Sequence, residues 1–216
     1  KESHQSFLIH APFETTPARD NIVEDSIRNH EFINSICSGL EMAFCWMRDY
    51  GYLTLSTLND VFPTYAYPKD PLFRPIYESA VALISSGESL IPTNCVGSYK
   101  SIQKVVFPEN MTIVECFDDD DIHLLFNKPD IYWIAKDICR DAYQNFKNFL
   151  SENADIKTYS WKEVLSSLTA RFLEQKQLSW FHKLFDSIQS FAILKTRMGA
   201  KHDVAVSHYE SLLVSF

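Results

Sequence analysis

Arg197 and His202 are the two residues of this 216-residue chain whose types and spacing best suit a reaction. They bracket Met-Gly-Ala-Lys. A histidine moves a proton at neutral pH. An arginine holds a phosphate and the charge that develops on it. Together they suit metal-independent cleavage of a phosphodiester. Asp118–Asp121, followed by His123, offers carboxylates of the kind that bind Mg²⁺ or Ca²⁺. Consecutive like charges repel, however, and the D-x-[DN]-x-[DN]-G calcium loop is missing. That run is expected to be a solvated turn between two strands, or a docking spot for a basic partner. His30-Glu31 opens an HExxH pattern that Asn34 leaves unfinished. His202 and His208 lie about 600° apart on a helix, off any common face. No metal site and no cofactor is expected, because P-loop, G-x-G-x-x-G and G-x-S-x-G patterns are missing.

The elements that must position these residues are mostly helical. Residues 1–19 read as an extended arm with Pro12 and Pro17. Asp20 is expected to cap a long helix over 20–49, with Ile22, Ile27, Ile33, Ile36, Leu40, Phe44 and Met47 at helical spacing and Gly51 as its stop. Leu55–Phe62 reads as a short helix. Pro63, Pro68, Pro71 and Pro75 make a stiff connector carrying Tyr65 and Tyr67. A helix over about 75–86 follows and ends at Gly87.

Then the pattern changes. Residues 104–107, 111–117 and 122–126 are short and rich in Val, Ile and Phe, which predicts a three-stranded antiparallel insert over about 104–126. Residues 129–216 read as a four-helix unit. Asp130 caps 131–151. The capping box Ser160-Trp-Lys-Glu163 opens a helix to about 175. Ser179 caps a helix to about 196, and after Gly199 a last one runs 201–216. The fold class is therefore mainly α, a helical bundle with a small β insert, and 20–128 is expected to share its core with the C-terminal unit.

The stretch Arg197-Met-Gly-Ala-Lys-His202 resembles the R-x(4–6)-H motif of the HEPN superfamily, at the junction before the last helix of a bundle. The resemblance covers less than half of the chain, and Met198 stands where that family often has a polar residue. It implies an endoribonuclease of the toxin or phage-defence kind, in which Arg197 and His202 act across a homodimer.

Composition points elsewhere. The formal charge is −8 and the pI near 5.3, which suits solubility or a basic protein partner better than nucleic acid. Lys195, Arg197 and Lys201 are the clearest basic grouping, so RNA enters only with the ribonuclease reading. The cysteines are Cys37, Cys45, Cys95, Cys116 and Cys139, with no CxxC. Cys37 and Cys45 would stand roughly 12 Å apart on one helix, beyond the reach of a disulfide at about 7 Å. Reduced core thiols in a cytoplasm are expected. No apolar run nears the length of a membrane span.

Aromatic residues make up 14% of the chain. On the helix over 179–196, Trp180, Phe181, Leu184, Phe185, Ile188, Phe191, Ala192 and Leu194 spread over about half the circumference, wider than one packed face needs. Trp180, Phe181 and Phe185 are therefore candidate partner-binding residues, with Tyr65 and Tyr67 on the connector as a second strip. The leading expectation is a non-catalytic interaction protein: an adaptor, chaperone-like or assembly subunit of a bacterial-type complex, similar in size and charge to the small acidic adaptors of secretion machinery. The ribonuclease is the alternative.

Overall fold

The computed structural model describes residues 8–62 and 71–197, excluding the side chains of 192–197. Tyr65, Tyr67, His202 and the helix expected over 201–216 lie outside the described residues. The chain forms two compact units. One comprises Lys1–Pro108 with Asp130–Thr158, the other Glu109–Pro129 with Tyr159–Phe216. Among the described residues there are nine α-helices and two small sheets, so the protein is mainly α with a small β part.

In the first unit, helix α1 spans Ile27–Asp49. It starts later than the sequence suggests. Asp20 accepts the Thr16 hydroxyl at 2.6 Å and so is taken up in a turn. Ser26 caps α1 by accepting the Asn29 N–H at 3.2 Å. Asn29 is fully buried and ties the preceding segment down, accepting from the Glu14 N–H and donating to the carbonyls of Glu14 and Val23. Helix α2 (Leu55–Val61) and helix α3 (Arg74–Ser85) sit where their patterns place them. The core joins Phe44, Leu58, Phe62, Ala80, Ile134 and Phe146, with Phe62 stacked on Phe149 at 4.0 Å.

Strands β1 (Ile91–Pro92) and β2 (Tyr99–Lys100) form an antiparallel hairpin. Strand β3 (Val105–Pro108) is wholly buried and pairs in parallel with β4 (Tyr132–Trp133), Val105 opposite Tyr132. Strand β5 (Thr158–Tyr159) lies on the other side of β3. The expected antiparallel meander is thus corrected: β3 is present, but its sheet partners come from distant sequence and one of them is parallel. The helix expected over 131–151 is likewise replaced at its front. Asp130 pairs with Lys104 at 2.7 Å, Tyr132–Trp133 joins the sheet, and two 3₁₀ turns precede helix α6 (Gln144–Asn153).

In the second unit, the segments expected as strands are helices: α4 (Met111–Cys116) and α5 (Asp119–Phe126). Side-chain caps override their β-rich composition. Asn110 accepts the Thr112 N–H at 3.0 Å, and Asp118 accepts the Asp121 N–H at 2.9 Å. The aspartate run is therefore a helix start, where carboxylates meet the positive end of the helix dipole. The capping box at Ser160 is present and opens α7 (Trp161–Ser166). Thr169 then caps a separate helix, α8 (Ala170–Leu173), so the expected helix to 175 is broken in two. The last described helix, α9, runs Leu178–Arg197. Its packed side, Leu184, Ser187, Ile188 and Phe191, has helical spacing, and Trp161 lies fully buried beside Phe117 and Phe191.

Candidate interaction surfaces

In the first unit, the C-terminal end of α1 presents aromatic side chains outward. Gly51 adopts φ +76°, a left-handed turn that glycine takes without strain. The turn brings the chain back, so that the N–H groups of Tyr52 and Leu53 both donate to the Met47 carbonyl, at 2.6 and 3.0 Å. Tyr52 thereby stacks on Trp46, with centroids 5.5 Å apart and planes 16° apart. Tyr50 lies against the same indole at 5.0 Å. The three rings nevertheless remain 53% (Trp46), 67% (Tyr50) and 60% (Tyr52) exposed, and Met42, one turn earlier, is exposed too. Asp49 and Glu88 flank the end of the helix, with Arg48 between them at 2.8 and 3.8 Å.

The wide apolar stripe of α9 in the second unit resolves into two sides. Trp180 belongs to the packed one. Its indole N–H donates to the Cys116 carbonyl at 2.7 Å, and its ring meets Phe117 and Phe172 edge-on at 5.5 and 5.8 Å. Phe181 is half-buried against Trp180, centroids 5.2 Å apart. Phe185 is 44% exposed, and Leu178, two turns away on the same side, is exposed as well. The structure thus separates the candidates on this helix: Trp180 holds the unit together, whereas Phe185 faces out.

Lys176 pairs with Asp121, and its ammonium also lies 4.6 Å from the Phe172 ring centre and 5.5 Å from that of Trp180. Burial is the largest influence on Asp121 and raises its carboxyl above the ordinary range, while Lys176 opposes it. The aspartate run, expected to be solvated, thus sends one member inward to a cation. An open groove of about 490 Å³ between α4 and α9 is lined by Thr112, Glu115, Ser179, His182, Lys183 and Ser187. Nearby, Cys116 donates to the Ser187 hydroxyl at 3.2 Å. Burial pushes the Cys116 thiol up, away from the reactive thiolate.

Arg197 is the last residue of α9; its side chain and His202, and with them the HEPN-like pair, lie outside the described residues. All five cysteines are free. Cys116 is buried, but Cys95 is exposed, which corrects the expectation that all are core thiols. Among the described residues, no three His, Cys, Asp or Glu side chains gather as metal ligands, and no helix is long and apolar enough to cross a membrane.

Sequence reasoning missed the Trp46, Tyr50 and Tyr52 cluster. The available signal was a glycine stop flanked by aromatics at 46, 50 and 52. No family model, no curated protein and no solved structure matches the chain.

Proposed function

We propose that this protein is a non-catalytic interaction subunit, an adaptor or assembly component working in a bacterial-type cytoplasm, with one docking surface on each unit. The observation that carries the reading is the aromatic cluster at the end of α1: Tyr52 stacks on Trp46 and Tyr50 lies tilted against it, yet all three residues are more than half exposed. Aromatic side chains supply large contact area at low cost in conformational entropy and dominate interface energetics. Phe185 and Leu178 on α9 are the corresponding exposed apolar pair of the second unit. An adaptor needs two such surfaces, and the net charge of −8 favours a partner with a basic surface for the second.

The test is purification of the chain at near-native levels, with sizing and mass spectrometry of what co-elutes. A heterologous protein retained in fixed stoichiometry, and lost on Phe185→Ser, supports the adaptor. RNA cleavage by the purified chain, abolished by His202→Ala in a folded protein, would replace it with the ribonuclease.

A further inference from the structure

We infer that the groove between α1 and α3 receives a basic amphipathic helix of another protein. This rests on the reading of the chain as an interaction subunit. It names the chemistry of a partner for the first unit and leaves Phe185 of the second unit for a different contact.

The groove is set by two helices that run in the same direction. The Ser79 hydroxyl donates to the Cys37 carbonyl at 3.5 Å, and farther along Arg48 reaches Glu88, just past α3, at 3.8 Å. From Cys37 to Arg48 is about 16 Å, or roughly three turns. The groove encloses about 390 Å³ and is lined by Cys37, Ser38 and Glu41 on α1 and by Ser79, Ala82 and Ser86 on α3. All but Glu41 are small, so a third helix can approach both axes closely. Interaxial distances run from about 8 to 10 Å according to the side chains at the contact. An extended segment would find no row of free backbone groups on two helices to pair with, whereas a helix lies into such a groove.

Charge selects the occupant. Glu41 is exposed and makes no ion pair among the described residues. At the far end Arg48 is shared by Asp49 and Glu88, at 2.8 and 3.8 Å, which leaves one negative charge over. Near the start of α3, Arg74 and Glu78 cancel at 2.7 Å. Helix α3 also ends here, with the negative end of its dipole and no basic side chain in its last turn. Glu31, farther up α1, is exposed and of the same sign. A second copy would bring the same carboxylates and a net charge of −8, so it does not fit. Lysines or arginines on an incoming helix do. Glu41 and Arg48 stand seven residues apart, about 10 Å along α1, which matches basic residues two turns apart on the partner. Met42, 71% exposed and next to Glu41, gives the partner an apolar shoulder.

The probe is a synthetic helix of about 18 residues of Leu, Ala and Lys, with leucines along one stripe and lysines two turns apart beside it. Its binding to the full chain is read by fluorescence anisotropy. A contact about 16 Å long and one helix wide is well below the roughly 800 Å² per partner of a standard interface. The expected Kd is therefore tens of micromolar at about 50 mM salt, weakening several-fold at about 300 mM. Glu41→Lys reverses the charge in the groove, and Ala82→Trp fills it. Both positions are exposed, and each variant should weaken binding about tenfold or more with unchanged helical circular dichroism. Glu174→Lys, the same charge change at an exposed position of the second unit, should alter it less than about twofold. The bound probe should slow alkylation of half-buried Cys37 and leave that of exposed Cys95 unchanged, read by mass spectrometry. A wild-type chain that does not bind the probe at about 500 μM overturns the inference. So does binding indifferent to Ala82→Trp, or lost equally in Glu174→Lys. A chain that fails to bind the probe but retains a Phe185-dependent partner removes the inference and leaves the adaptor reading standing. Groove-dependent binding of the probe, with no heterologous protein retained at near-native levels, supports the groove and removes that reading.

Discussion

Helices α1 and α9 are the two longest described helices, and each carries a tryptophan beside other aromatics. They use it in opposite ways. Trp180 has its indole N–H satisfied by the Cys116 carbonyl and its ring flanked by Phe117 and Phe172. Trp46 has tyrosines against its ring and more than half of its surface open. Aromatic neighbours alone therefore do not make a core. What separates the two sites is the element behind the helix: α4 supplies a carbonyl and packed side chains to α9, whereas a tight turn at Gly51 only folds the chain back on α1.

The largest effect should come from deleting a tryptophan that the second unit encloses. Trp161 is fully buried. Trp161→Ala should cost about 3–5 kcal/mol, the range for large-to-small core substitutions, read as a fall in the urea midpoint. A loss below 1 kcal/mol would mean that the aromatic core of this unit is not packed as described.

The next effect tests the cation that braces the same unit. Lys176→Met keeps the stem over Phe172 and Trp180 but strands the carboxylate of Asp121. The cost should be about 2–3 kcal/mol at neutral pH, less than a sealed pair because Lys176 keeps some contact with water. The sign with pH follows from Asp121 being raised by burial. A carboxyl that binds its proton more tightly folded than unfolded contributes stability as pH falls through its folded pKa. The penalty of Lys176→Met should therefore shrink on acidification, and Asp121→Asn should remove that pH dependence. A penalty that is constant from pH 7 to pH 4 would refute the assignment.

The first unit should respond weakly, and in one case favourably. Gly39→Ala should raise its stability by up to about 1 kcal/mol, the helix-propensity difference, measured by thermal unfolding of dilute protein. Destabilisation there would reveal a crowded neighbour. Trp46→Ala should change stability by no more than about 0.5 kcal/mol, as for a surface substitution. A drop of 2 kcal/mol would show that Trp46 belongs to the fold and would erase the contrast with Trp180.

Local signals in this sequence are reliable where one or two side chains decide the outcome. The capping box at Ser160, the stop at Gly51 and the short helix α2 are all read correctly because the chemistry sits within four residues. Residues 111–117 and 122–126 mislead because their Val, Ile and Phe content suits a strand, whereas Asn110 and Asp118 satisfy the first free N–H groups and start helices. Residues 131–134 mislead for the converse reason. They can satisfy their backbone in a helix, but the buried edge of β3 offers Tyr132 and Trp133 a ladder that only the folded chain provides. The α9 stripe puts apolar residues on two sides of the helix, Leu184, Ile188 and Phe191 inward and Phe185 outward, but spacing alone does not say which of Trp180 and Phe185 faces in. The Trp46 cluster depends on a turn geometry that composition does not encode.

The interleaving of the two units has a consequence for synthesis. Residues 109–129 of the second unit leave the ribosome before residues 130–158, which the first unit still needs. Neither unit is complete when its first segment emerges, so simple N-terminal-first folding is closed to this chain. The first unit can close once Thr158 is out, while α4 and α5 must wait, capped but unpacked, until α7, α8 and α9 follow.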